Sequence, residues 1–400
     1  MEIELLTENS IIYVLAIWIV AVIIAKALKL DKHGFEIKLY SIVYKNYNVQ
    51  SIFAKILAKT RTVVNVFANI SIVSGVIMVG VAFWFLLSNI LNFFVKPTEF
   101  SEVTLLIPGI TLTSSTSITY FLLSIPIVLI IHEGAHGIVA TLEKIKIKSG
   151  GFAVFIAMFA GFVEPDEEKF VKANKISKLK VISAGATSNV IFAIILGMVL
   201  ITNPFFAIVM PEPLLSWFYR SVEGVTIISL MSDSEAGKSG LQPDDIITRI
   251  NNTDIKTPLD FQKIKIIPND VISIDVIRDG KELNFAVKTI ENPEDPKSGL
   301  IGIIRDNSLP YKPKYDIIEW KSPEISMFLL WLWMISFFIG IINMLPLPIL
   351  DGGKFIYSII EGKLKEKSVK IFMIAIYLGT FIIFGLNIAL SYIKSGWFTI

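Results

Sequence analysis

The chain of 400 residues contains no cysteine and only three histidines. The first absence excludes disulfides and every zinc site built on thiolates, so any metal must be held by His, Asp or Glu. Charge is scarce too: charged residues make up 18% and nearly cancel, to a net +2. A chain this close to neutral lacks the basic field that nucleic acid requires, so no nucleic-acid partner is expected and the lysines matter by position. The first apolar run, Ile11 to Ala25, follows Glu2, Glu4 and Glu8 and has no small-residue cleavage site. It reads as a retained membrane helix rather than a signal peptide.

What the chain has in excess is apolar surface, with 53% hydrophobic residues and a positive mean hydropathy. That is too apolar for one soluble domain, and the expected fold class is a polytopic α-helical membrane protein. Six runs are long enough to span: about 10–29, 64–88, 118–142, 181–203, 325–348 and 369–393. Lysines crowd the connections 26–62 and 144–180 and the stretch Lys363 to Lys370, whereas 89–117 holds Lys96 alone. The positive-inside rule then puts both termini outside and the basic connections in the cytoplasm. Lys38 to Arg61 reads as a cytoplasmic interfacial helix. His33 sits in the same basic connection and reads as an exposed surface residue.

The third run carries the chemistry. Within Ile127 to Ala140 (IVLIIHEGAHGIVA) stand His132, Glu133 and His136. The i, i+4 spacing puts both imidazoles on one helical face, where they can share a divalent ion, and Glu133 beside them can move protons. Packing alone is a poor reason for them, because one ionisable side chain near the bilayer centre costs about 2.5 to 3.5 kcal/mol. A shared metal ion offsets that burden for all three.

A catalytic zinc keeps three protein ligands and one open position. Asp351 is the expected third ligand: Pro346 and Pro348 break the end of the fifth run and let a carboxylate turn inward, on the same membrane side as the histidines. Two other readings stay open. Asp351 caps the next helix, with Gly352 and Gly353 as punctuation, or Glu164 is the ligand instead, although Pro165 and the charged run after it suit a solvated loop end.

Three further stretches bear on the site. Gly150 to Val163 (GGFAVFIAMFAGFV) is apolar but too short to span, and it reads as a re-entrant loop or β-hairpin at the metal site, or else as a short buried helix. Glu102 to Thr113, broken by Pro108-Gly109, favours a hairpin or bent ribbon. In the fourth run, the small residues of Ser183 to Asn189 let that helix approach the histidines closely. Asn189 then either donates to a developing oxyanion or positions substrate, or makes only an interhelical hydrogen bond.

Between the fourth and fifth runs, Ser221 to Val287 alternates in the manner of strands, with Asp279-Gly280 and Asn251-Asn252 as turns. Ala236 to Ile247 (AGKSGLQPDDII), followed by RINNTDI, resembles the helix-turn-strand of PDZ domains, with Asp244 where that pattern has glycine and without a carboxylate-binding GLGF loop. A small α/β PDZ-like insert, binding a peptide or acting as a steric gate, is expected on the outer face. The chain then divides into a first helix and basic connection (1–63), a membrane core (64–210), the PDZ-like domain (215–305) and a closing pair of spans (320–400).

Taken together, H-E-x-x-H in one membrane helix, N-x-L-P-x-x-x-L-D-G from Asn343 to Gly352, Gly161 to Pro165 and the PDZ-like insert resemble the site-2 protease family of intramembrane zinc proteases. The resemblance covers about 104–360. It implies His132, His136 and Asp351 as ligands of Zn2+, Glu133 as catalytic base, and transmembrane segments of other membrane proteins as substrates. The rival reading is an inactive zinc-binding receptor or scaffold acting through its PDZ domain.

Overall fold

The computed structural model describes residues 15–396 apart from 17, 157, 204–205, 208–209, 211, 222–223, 232–233, 257, 293–297, 306–310, 316–317 and 319–321. It forms two units, one of 1–197 with 327–400 and one of 198–326.

In the first unit the helices follow the apolar runs, with ends set by proline, glycine and charge. Helix α1 (Trp18–Ala27) is the described part of the first expected span, whose residues 10–14 and 17 lie outside the described ones. From Val49 the chain meets no proline before Pro97 and forms a single helix, α2 (Val49–Val95), of 47 residues. At 1.5 Å per residue that is about 70 Å, more than twice the hydrocarbon thickness of a bilayer. The span expected from 64 therefore begins fifteen residues earlier than the hydropathy run, because nothing between Val49 and Arg61 stops the helix. Of the interfacial helix expected over 38–61, only 49–61 is helical, as the first stretch of α2; Ser41–Asn46 is a strand instead.

Helix α3 (Ser115–Leu142) is capped by the Ser114 hydroxyl, which accepts from the Ser117 N–H. It is followed by the short α4 (Glu167–Lys172) and by α5 (Lys175–Leu200). Beyond the strands of the second unit come α6 (Pro323–Ile342), α7 (Asp351–Ile360) and α8 (Glu366–Ser395). Five of these, α2, α3, α5, α6 and α8, are long and apolar enough to cross a membrane, and α1 is shorter among the described residues. The chain is a multi-pass helical membrane protein.

One sheet accompanies the helices, in the order β1 (Phe35–Lys38), β2 (Ser41–Asn46), β3 (Ile147–Phe155), β4 (Met158–Pro165). Strands β3 and β4 are the hairpin reading of Gly150 to Val163, extended at both ends and antiparallel throughout. The basic connection supplies the other two strands, joined to the hairpin by Ile42 to Asn46 facing Val154 to Gly150. Phe35, Tyr44 and Phe152 pack their rings across β1, β2 and β3 with centroids 4.9 to 6.4 Å apart. The ribbon expected at Glu102 to Thr113 does not form: the Thr111 hydroxyl accepts from Ile107 N–H and donates to the Leu105 carbonyl, using groups a ladder would need. A tight turn at Gly109 and one isolated bridge, Pro108 to Leu112, remain.

The second unit is the β-rich insert. Strands β5 (Val225–Leu230), β6 (Ile246–Ile250), β7 (Val271–Arg278), β8 (Lys281–Lys288) and β9 (Ile303–Arg305) form a sheet in the order β8-β7-β6-β5-β9. Its core is Val225, Ile227, Leu241, Ile247, Ile250, Ile274 and Val276 with the short helices at Glu235–Lys238 and Pro258–Lys263 beside it. Asp245 is fully buried and held by both arms of Arg278, at 2.6 and 2.7 Å. Asp244, at the position where the PDZ pattern has glycine, has φ +70°, a left-handed conformation that glycine adopts without strain.

Candidate active site

All residues of the site lie in the first unit. An unbroken helix through the third run places His132 and His136 one turn apart, their rings 4.8 Å apart between centroids. Helix α6 ends at Ile342 because Pro346 and Pro348 cannot continue it. The turn that follows is closed by the Gly352 N–H donating to the Asn343 carbonyl, and α7 restarts with Asp351 in its first turn. The N-cap position is taken by Leu350, so Asp351 is not the capping residue. Its Oδ2 lies instead 3.1 Å from His132 Nε2 and 3.0 Å from His136 Nε2. The two Nε2 atoms are 3.1 Å apart.

Three ligand atoms thus form a nearly equilateral triangle. A tetrahedral ion bound at 2.0 to 2.1 Å requires edges of about 3.3 Å, so a few tenths of an ångström of opening accommodates it. The donor set, two imidazole nitrogens and a carboxylate oxygen, suits zinc and leaves a fourth position. His132 and Asp351 are buried, and no other group of three candidate ligands comes together among the described residues. Lys354 lies 3.7 Å from Asp351 Oδ1, the oxygen turned away from the histidines.

Helix α5 closes over this triangle. A Cβ on Gly185 would meet His136 Nε2 at 2.3 Å and His132 Nε2 at 2.7 Å, so only glycine lets the helix lie there. The His136 Nδ1–H donates to the Val181 carbonyl at 2.7 Å, and Asn189 places its amide nitrogen Nδ2 3.1 Å from His132 Nδ1. Of the two readings left open for Asn189, the structure shows an interhelical contact, made directly to a candidate ligand.

Glu133 faces the sheet. Its Oε2 accepts from the Val163 N–H at 2.9 Å, across the outer edge of β4. Gly161 permits that approach, since a Cβ there would stand 2.9 Å from Glu133 Cγ. Glu164, the rival ligand, points elsewhere and accepts from the Ser149 hydroxyl at 2.7 Å. His33 is exposed at the end of a short 3-10 turn. The Val181 carbonyl and the edge amide of Val163 escaped sequence reading because backbone groups carry no residue signature.

The family model for Peptidase family M50 matches residues 120–386. An uncharacterized protein of Methanocaldococcus jannaschii is 26% identical over 366 residues, 89% of this chain and 86% of that one. The zinc metalloprotease RasP of Oceanobacillus iheyensis is 26% identical over 187 residues, and RasP of Shouchella clausii 24% over 186. Each RasP match covers 35% of this chain and 44% of the relative. A solved PDZ domain of an SdrC-like protein from Listeria monocytogenes matches at 22% identity over 22% of this chain and 93% of its own, with a TM-score of 0.19. With the family match running over well more than half of the chain and taking in the histidine helix and Asp351 together, this protein belongs to Peptidase family M50.

Proposed function

We propose that the protein is an intramembrane zinc metalloprotease, cutting peptide bonds within transmembrane segments of other membrane proteins. The observation that carries this reading is the triangle of His132 Nε2, His136 Nε2 and Asp351 Oδ2, with Glu133 next to it in sequence and held at the edge of a strand. Zinc bound by that triangle supplies Lewis acidity, polarising a carbonyl and bringing the pKa of a water toward about 7.

The chain's own residues do the rest. Glu133 takes the proton of the attacking water and passes it to the leaving amine. The Val163 N–H keeps one carboxylate oxygen of Glu133 fixed, which leaves the other to carry the proton. Helix α5, seated on the imidazoles through Gly185, excludes solvent from that side. A substrate helix hides its carbonyls in its own hydrogen bonds and must unwind before attack. Strand β4 is the edge of its sheet and runs past Glu133, so an unwound segment adding to that edge lies beside the base.

The lysine distribution supports an orientation with the zinc end of α3 toward the cytoplasm and the inserted PDZ-like domain outside, there to bind a peptide or to act as a steric gate. The test of the activity is Glu133→Gln in the full chain in membranes. We expect bound zinc to stay at one per chain and cleavage of a reporter membrane protein to fall below detection. Cleavage that persists in Glu133→Gln would sink the assignment.

A further inference from the structure

Zinc on His132 demands one tautomer. An imidazole that gives its Nε2 lone pair to a metal carries its proton on Nδ1, and a hydrogen-bond partner at Nδ1 decides whether that form is favoured. For His136 the partner is the Val181 carbonyl, an acceptor and nothing else, so Nδ1 bears the proton and Nε2 is free. For His132 the partner is the Asn189 side chain, which can present either an oxygen or an –NH2, and the two differ in consequence rather than in shape.

With the amide nitrogen toward the ring, the His132 proton must sit on Nε2, and the lone pair aimed at Asp351 and His136 is lost. With the amide oxygen toward the ring, Nδ1–H donates to it and Nε2 is free. As placed, the amide oxygen at the far end meets no protein partner among the described residues, so no hydrogen bond there holds the amide in the first orientation. Asn189 is fully buried and anchored: its backbone carbonyl accepts from the Ser336 hydroxyl at 2.9 Å, and Ser188 beside it donates to the Ile131 carbonyl at 3.2 Å. Val181 and Asn189 stand about two turns apart on α5, with Gly185 between them against both Nε2 atoms.

We propose that Asn189 is a positioning residue whose amide oxygen accepts the Nδ1–H of His132, so that one face of α5 sets both imidazoles in the tautomer with Nε2 free for metal. The proposal rests on the zinc reading of the site. The turned amide keeps its –NH2 for a water or a substrate carbonyl.

The experiment uses the full chain, labelled with 15N-histidine; with only three histidines, the ring signals are few enough to resolve. We expect His132 to carry its proton on Nδ1 in both the metal-free and the zinc-loaded protein. Asn189→Leu should mix the tautomers and weaken zinc binding, measured by chelator competition, roughly ten- to a hundredfold. Asn189→Asp keeps an acceptor and has no donor, so it should retain both the Nδ1–H signal and zinc affinity within a few-fold. If Asn189→Leu fails to fold, the Asp variant decides alone. Loss of zinc in Asn189→Asp, or His132 protonated on Nε2 in the metal-free parent, overturns the proposal. Failure of the zinc reading looks different: the parent takes up no zinc while His132 still carries its Nδ1 proton.

Discussion

Asn89 and Asn387, between α2 and α8, are as deeply buried as His132 and Asn189 between α3 and α5, but the two clusters are wired in opposite ways. The Asn89 amide donates to the Ser101 carbonyl and to Asn387 Oδ1, and its own oxygen accepts from the Ser101 N–H. Asn387 donates to the carbonyls of Leu86 and Ile383. Every side-chain donor and acceptor of that pair is used within the protein. Around His132, by contrast, three ligand atoms converge on one point and the amide oxygen of Asn189 has no protein partner among the described residues. The difference separates a clamp, which closes on itself, from a site, which is completed from outside.

The sharpest way to break this comparison is to remove one converging atom. Asp351→Asn keeps the shape of the side chain and removes the charge that two imidazoles face. We expect bound zinc to fall from one per chain to none by elemental analysis, with helix content unchanged by circular dichroism. A zinc-replete Asp351→Asn protein would mean that the metal is held elsewhere.

A smaller effect should follow from filling the space rather than removing a ligand. Gly185→Ala puts a methyl group 2.3 Å from His136 Nε2, so the imidazoles or the helix must move. Zinc affinity should drop roughly ten- to a hundredfold, as it does when groups supporting a metal's ligands are disturbed. Gly385→Ala on α8 is the control, since a Cβ there meets nothing within 4 Å. It should leave zinc binding alone and add up to about 1 kcal/mol of helix stability.

How much of this was legible in the sequence depends on whether a feature is local. The spacing of His132, Glu133 and His136 fixes their common face through helix periodicity alone, and Pro346 and Pro348 mark where the chain must turn before Asp351. The strands of the insert announced themselves by alternation. Strands β1 and β2 did not, because lysines and tyrosines interrupt their pattern and their partner β3 lies about a hundred residues away. The length of α2 was hidden because a hydropathy run measures where lipid is, while the helix continues as far as no breaker stops it. The contact of Asn189 with His132 needs the placement of α5, which no spacing within that helix encodes.

The smallest expected effect tests the closed cluster. Asn387→Leu removes the acceptor of one Asn89 N–H and leaves that donor buried without a partner, while the Leu86 and Ile383 carbonyls keep the bonds of their own helices. An orphaned donor costs about 1 to 3 kcal/mol in a protein interior, but paired polar groups in membrane helices couple by only about 0.6 kcal/mol on average. The loss of thermal stability should therefore be modest. In a double-mutant cycle with Asn89→Leu the coupling should lie between about 0.6 and 1.7 kcal/mol. Zinc content and affinity should not change, because no hydrogen bond of the clamp reaches α3, α5 or Asp351. If Asn387→Leu lost zinc as Gly185→Ala does, the two clusters would be one network, and the distinction between a closed clamp and an open site would fail.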